Sequence, residues 1–387
     1  MGPILSTLAS SGNKAFLQFG GQGSPWIKEL SKLSAEPELS SLFEITYKVI
    51  DENMKRVGSM DQYDKGFDLK SWLANPESAP DEDYLCRACI SVPAIFVTQV
   101  SNYHLLTKKG YSVEDLMKHS AGITGHSQGV VAAALIGLGK DGEDFLKAYH
   151  QFFTFIFYMG ARGQETYPHF KVSEELNQKS IALGDKGLSP MVAVIGYSKS
   201  ELEERVHAIN SEKGYSDSEK LYISLYNTPD SMIVSSVPSS LIEFRTKYKA
   251  EMDEKKFKFV YLKTTAPFHC PFMNPSWELF QKDLEVVKLD YKGSDFKIPV
   301  FGIFDGKPLN DVTDLREKLY KMVLIEPLHW DKAIHSVLSD SKITTILDFG
   351  PSMVSQRLTG GHLKASNIEK ESYCASTPKE LKVLLGA

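Results

Sequence analysis

The residues Gly125-His126-Ser127-Gln128-Gly129 set a serine between two glycines in the pattern Gly-x-Ser-x-Gly. That spacing suits a nucleophile elbow, in which a strand ends, the chain turns sharply and a helix begins at once. The following run, Val130-Val-Ala-Ala-Ala-Leu-Ile, has the small apolar residues of a helix packed closely under a sheet. In such a turn the Ser127 hydroxyl is exposed, and the glycines let backbone pass within van der Waals distance. The helix start would aim unpaired N–H groups and the positive end of its dipole at a reacting carbonyl. Taken alone, the pattern also fits an idle serine in a glycine-rich turn, so the rest of the chain has to decide.

The elements that must position Ser127 follow from the patterning. Lys14-Ala-Phe-Leu-Gln-Phe19 reads as a buried strand running into the glycine-rich turn Gly20-Gly-Gln-Gly23-Ser-Pro-Trp26. That turn lacks Gly-Lys-Ser/Thr and Gly-x-Gly-x-x-Gly, which argues against a nucleotide site and for close backbone approach to another ligand. Leu42 to about Asn75 is helical and surface-like, and Ile90 through Leu106 continues as an apolar helical face broken at Pro93. Asp144 through Gly160 is a long helix whose dense aromatic face belongs to a core. From Pro190 the texture changes. Strands at Pro190–Ile195, Leu221–Tyr226, Ser231–Ser235 and Lys256–Leu262 alternate with helices at Ser200–Ile209 and Ser239–Tyr248. The order β-α-β-β-α-β is the ferredoxin-like signature. Further strands are expected at Ile298–Ile303 and at Thr344–Pro351, the latter ending in a turn. The expected fold is α/β: an α/β-hydrolase-like large subdomain with a parallel sheet, formed by 1–187 and 264–387, and an inserted ferredoxin-like subdomain at 188–263.

Composition narrows the function. A chain of 387 residues with 42% hydrophobic and 24% charged residues is globular in character. Its net charge of −5, from 44 basic and 49 acidic residues, argues against a nucleic-acid or membrane-surface partner. There is no apolar run of about 18 residues, so no transmembrane helix is expected. The N-terminus lacks a basic segment followed by an apolar core, so no signal peptide is expected either. Four cysteines are too sparse for a disulfide framework, and Cys86-Arg-Ala-Cys89 has no second Cys or His pair to complete a metal site. No metal is expected, and the compartment reads as reducing and cytoplasmic.

Four segments in order, Phe19-Gly-Gly-Gln-Gly23, Gly125-His-Ser-Gln-Gly129, Pro267-Phe-His269 and Asp348-Phe-Gly-Pro351, together resemble the acyl-CoA:acyl-carrier-protein transacylases. The resemblance runs from about Lys14 to Thr377. Phe157-Tyr-Met-Gly-Ala-Arg-Gly-Gln-Glu-Thr-Tyr-Pro168 and Ser189-Pro-Met191 add likeness to the acetyltransferase domain of the type I fatty acid synthase β-subunit.

The resemblance implies an S-acyltransferase of fatty acid or polyketide biosynthesis working in ping-pong fashion through an acyl-serine. Ser127 is then the nucleophile and His269 the general base. The backbone N–H groups of Gln22 and Gln128 form the oxyanion hole, and a backbone carbonyl, at His329, orients His269. Asp230, Asp305 and Asp348 are the acidic alternatives for that last role. His126, Asn227 and Phe268 border the substrate. Malonyl-specific members carry an arginine where this chain has Met159, which implies acetyl or another neutral short acyl group. A malonyl carboxylate buried without a cation would cost several kcal/mol. Arg162, one turn on, is the group that could restore malonyl specificity or dual use, and a serine thioesterase or esterase is the further alternative. No cofactor is held permanently; acyl-CoA is the donor and the phosphopantetheine of an acyl carrier protein the acceptor. The chain is either free-standing or a piece of a larger synthase.

Overall fold

The computed structural model describes residues 1–23, 25–167 and 173–386. Ser24 and Pro168, which belong to two of the stretches above, lie outside the described residues. Two sheets organise the molecule. The first is wholly parallel and consists of β1 (Lys14–Phe19), β2 (Ser120–Gly125), β8 (Ile343–Asp348) and β9 (Glu371–Cys374), in the order β2-β1-β8-β9. β1 lies between β2 and β8, and Ala15, Phe16, Leu17 and Phe19 are all buried. A near-continuous apolar run is what a central parallel strand requires.

The second sheet takes β3 (Met191–Ile195), β4 (Tyr222–Thr228), β5 (Ser231–Ser235) and β6 (Lys258–Tyr261) in the order β6-β3-β5-β4, all antiparallel. A two-residue strand, β7 (Leu328–His329), adds in parallel beside β4 and ties this sheet to the later chain. The alternation of side chains along a strand gives the sheet two different faces. Val192 and Val194 of β3, with Met232 and Val234 of β5, share a core of their own with buried residues of the helices Lys199–Lys213 and Pro238–Glu254. Met191, Ala193, Ser231 and Ile233 alternate with them and face the cleft above Ser127. This is how an inserted sheet becomes one wall of a site.

Three helices matter for that site. Helix α1 (Ala88–Lys108) is buried from Ala88 to Leu106, α2 (Gly129–Gly137) is buried throughout, and α3 (Gly142–Thr166) packs along α1. Helix α1 runs through Pro93 without a break, correcting the sequence reading. Pro93 lies within its second turn, where the missing N–H deprives only the Cys89 carbonyl of a partner. Gly160 of α3 makes room there, since a Cβ on it would lie 3.3 Å from the Pro93 Cδ. The strand expected at Ile298–Ile303 shrinks to isolated bridges, Val300 with Ile123 and Phe301 with Pro308. Among the described residues no helix is long and apolar enough to cross a membrane.

Candidate active site

The chain between β2 and α2 turns through Ser127 with φ at 53°, the left-handed region that ordinary residues avoid. Close packing holds it there. A Cβ on Gly125 would lie 2.0 Å from the Gly129 carbonyl carbon, and one on Gly129 would lie 2.2 Å from the Gly20 oxygen. The His126 N–H donates to the Phe19 carbonyl at 2.8 Å, which clamps the turn to the end of β1.

His269 approaches from the other side. The Ser127 hydroxyl meets His269 Nε2 at 2.7 Å, and His269 Nδ1 meets the Glu326 carbonyl at 3.0 Å. With a carbonyl as acceptor, Nδ1 carries the proton and Nε2 is free to take one from serine. The His269 main-chain N–H also donates to the Leu324 carbonyl at 2.8 Å. Leu324 ends helix α4 (Leu315–Leu324) and Glu326 lies two residues beyond. The Leu324 carbonyl, last in the helix, lacks a partner within it and holds the histidine main chain, while the Glu326 carbonyl just beyond the helix holds the ring. Their partial negative charge also favours an imidazolium that forms during reaction. Burial pushes the His269 pKa down to about 4, against the Glu326 carbonyl, which raises it. At neutral pH the ring is therefore an uncharged base.

The orienting carbonyl is Glu326, not His329 as expected. His329 sits in β7, where its ring stacks on Tyr226 at 4.4 Å and its N–H donates to the Ile303 carbonyl at 2.7 Å. None of the acidic alternatives bonds to His269. Asp230 accepts from Thr228, Asp305 from the Lys307 N–H, and Asp348 from Gln18, Ser355 and the Gly350 N–H. Burial raises the Asp348 carboxyl to about 6, and its bonds fasten the turn after β8.

No described group accepts from the main-chain N–H of Gln22 or Gln128, so both donors are open. Their side chains are fixed by α1: Gln22 Nε2 donates to Ser91 Oγ at 2.6 Å and Gln128 Nε2 to the Val92 carbonyl at 2.9 Å. Gln99 Nε2 donates to the Gly20 carbonyl at 2.6 Å, anchoring the same loop. Sequence reading passed over Ser91 and Gln99. The signal was available, because polar residues inside an apolar run must find partners.

A cavity of about 340 Å³ opens at Ser127, lined by His126, Asn227, Phe268 and the inner face of the second sheet. A second, apolar cavity of about 400 Å³ adjoins it across Gln22, Gly23 and Lys263, with Trp26, Leu85 and Ile95 among its walls. His126 donates from Nε2 to Asn227 Oδ1 at 2.8 Å, and burial lowers its pKa to about 4. Two expected substrate contacts are absent. Met159 is fully buried in the core and lines neither cavity. Arg162 grips Asp283 with two bonds of 2.6 and 2.8 Å and Glu165 with one of 2.5 Å, so it is committed to structure. Lys263 is the one lysine or arginine among the described lining residues, and it pairs with Glu82 at 2.6 Å.

A family model described as "SAT: Starter unit:ACP transacylase in aflatoxin biosynthesis" matches residues 17–269. The chain is 28% identical over 354 residues to the fatty acid synthase subunit beta of Saccharomyces cerevisiae, covering 86% of this chain and 17% of that subunit. Identity to the fatty acid synthase beta subunit TOXC of Cochliobolus carbonum is 30% over 310 residues, or 76% of this chain and 14% of the other. The chain thus spans less than a fifth of the length of these relatives. Among solved structures, the malonyl CoA-acyl carrier protein transacylase of Coxiella burnetii superposes with a TM-score of 0.67 at 18% identity, covering 97% of this chain and 98% of the other. A malonyl-transacylase solved in complex with its type II PKS acyl-carrier protein gives 0.65 at 18% identity, covering 97% and 100%. At such identity these structures speak for the fold, which is the α/β fold expected.

Proposed function

The chain belongs to the starter unit:ACP transacylase family, a family of acyltransferases, and from that premise we propose that it moves an acyl group from coenzyme A to the phosphopantetheine thiol of an acyl carrier protein. In this reading the Ser127 oxygen attacks the thioester carbonyl while His269 Nε2 takes its proton. The oxyanion that forms lies between the main-chain N–H groups of Gln22 and Gln128. As the tetrahedral intermediate collapses, the carbon–sulfur bond breaks and the imidazolium protonates the departing CoA thiolate. The carrier thiol then repeats these steps in reverse on the acyl-serine. The observation that carries the reading is the 2.7 Å contact of Ser127 with a buried histidine that is itself held by a carbonyl.

The acyl group we propose is acetyl or another neutral short chain. Supporting this, Arg162 lines neither cavity and is held by Asp283 and Glu165, which leaves Lys263, in an exposed ion pair with Glu82, as the one lysine or arginine among the described lining residues. Met159 has no bearing on the acyl group, because its side chain is buried in the core and lines neither cavity. The adjoining apolar cavity leaves space for a chain longer than acetyl. A carrier protein as partner is supported by the solved transacylase that holds one, and membership of a larger synthase by the fatty acid synthase relatives. Intact-mass spectrometry after brief mixing with separate acyl-CoAs tests all of this. A stable adduct on Ser127 from acetyl-CoA or longer neutral thioesters, and little from malonyl-CoA, is the expected result. Strong malonyl loading would defeat the neutral-acyl reading, and CoA release without an adduct would mean hydrolysis.

A further inference from the structure

Asn227 stands between two histidines drawn from distant parts of the chain. Its side-chain Oδ1 accepts from His126 Nε2 at 2.8 Å, and its main-chain carbonyl accepts from His362 Nε2 at 3.0 Å. Asn227 lies near the end of β4 in the second sheet, His126 beside the nucleophile, and His362 in helix α5 (Val354–Ala365). All three are buried. We propose that His362 is a positioning residue for the oxyanion loop, acting through Asn227 and His126. The proposal rests on the acyl-transfer reading above.

A carbonyl can only accept, so His362 holds its proton on Nε2 and pins the backbone of Asn227. The pinned strand end aims Oδ1 at His126, which must then carry its own proton on Nε2. His126 Nδ1 is left unprotonated and turned towards the loop that carries Gln22. A Cβ placed on Gly21 would lie 2.9 Å from that Nδ1 and 2.8 Å from the His126 carbonyl oxygen. His126 is therefore the floor on which Gly21 rests, and the next residue supplies an oxyanion donor. The Trp330 ring, 5.4 Å away and edge-on, blocks one side of His126. Its Nε1 donates at 3.1 Å to Thr359, one turn before His362 on the same helix.

Helix α5 keeps its place without the His362 bond. A Cβ on Gly361 would lie 3.0 Å from Thr228 Cγ2, so helix and strand already touch, and the Trp330–Thr359 bond fastens the same face. Loss of the Nε2 donor should then loosen Asn227 and His126 while the packing survives.

The test compares His362→Leu, His362→Gln and His126→Ala, alone and combined, by rapid-quench acylation of Ser127 and by labelling with a fluorophosphonate probe. Glutamine can return an N–H to the place of Nε2, and leucine cannot. His362→Leu is expected to slow both reactions by about tenfold, with no further loss in the His126→Ala background. His362→Gln is expected to recover most of the rate. Additive losses, a wild-type rate in His362→Leu, or a folded His362→Gln as slow as the leucine variant would each overturn the proposal. So would a His362→Leu chain that fails to fold, since the contact would then be structural. The fluorophosphonate arm needs no acyl-CoA. If no thioester acylates the wild-type chain, the transfer reading falls while the labelling rates still judge His362.

Discussion

Ser127 and His269 meet at 2.7 Å with both backbones in the left-handed region, φ 53° and 59°. Each conformation costs about 1–2 kcal/mol in a residue with a Cβ, so the surrounding structure must impose it. For Ser127 the constraint is the packing of Gly125, Gly129 and Gly20, and for His269 it is the two carbonyls at the end of α4. Glycine at 127 would relieve that strain, and alanine would keep it. Both Ser127→Gly and Ser127→Ala should lose acylation entirely by intact mass. In thermal unfolding the glycine variant should be the more stable of the two by about 1 kcal/mol.

The pH dependence follows from burial. The base must be unprotonated to act, and the folded enzyme holds the His269 pKa near 4 rather than near 6.5. Acylation by a neutral thioester should therefore stay on its plateau down to about pH 5 and halve near pH 4, provided the fold persists. Stability moves separately. His104, His126, His269 and His329 all have folded pKa values lowered by burial to about 4. Between their folded and unfolded values the unfolded chain binds more protons, so stability falls as pH drops from 6.5 towards 4. Asp348, raised to about 6, opposes this, because its folded form binds the extra proton between 3.8 and 6. His362 is lowered by burial as well, and Glu29 and Asp185 are raised by burial on the opposing side; five histidines outweigh three carboxyls, and the urea midpoint should be lower at pH 5 than at pH 7.

The elbow and the second sheet were legible because local pattern dictates both. Gly-x-Ser-x-Gly followed by small apolar residues reads as a strand, turn and helix, and the short apolar run Met191–Ile195 between Pro190 and Gly196 marks a strand, although its two faces are told apart only by what packs on each. Glu326 was not legible, because the working atom is a main-chain carbonyl that every residue owns. What selects it is where α4 ends, and the Pro327 that follows Glu326 was the available hint. Met159 and Arg162 misled for a related reason. Their place in α3 is set by sequence spacing, but Arg162 is turned to Asp283, more than a hundred residues later, and Met159 is buried in the core. His362 stayed hidden because its partner is a main-chain carbonyl of the second sheet, 135 residues away.

Glycines at the elbow and in α5 should respond in opposite ways. Gly129→Ala puts a methyl 2.2 Å from the Gly20 oxygen and 3.0 Å from the Phe19 oxygen, both backbone atoms that cannot swing away. The turn must open, and acylation of Ser127 should fall by at least about tenfold together with stability. Gly360 is exposed on α5 and a Cβ there meets nothing within 4 Å. Gly360→Ala should therefore stabilise the chain by about 0.5–1 kcal/mol through helix propensity alone and leave acylation unchanged. Thermal unfolding and single-turnover acylation of both variants check the pair.

Arg162 separates a structural cation from a substrate clamp. Its guanidinium is only 16% exposed and the Asp283 carboxylate 3%, so removing the arginine strands a buried negative charge. Arg162→Ala should cost about 3 kcal/mol, the usual result of breaking one side of a buried pair. Replacing both partners, as in Arg162→Met with Asp283→Leu, should recover much of that loss, because the stranded charge goes too. A substrate clamp would behave otherwise. If Arg162 paired with a malonyl carboxylate, its loss would lower malonyl loading relative to acetyl even where folding survived. The geometry instead predicts an unchanged ratio of acetyl to malonyl adduct on Ser127, measured by intact mass at a temperature where the variant remains folded. A selective drop in malonyl loading would return Arg162 to the acyl site and the chain to a malonyl donor.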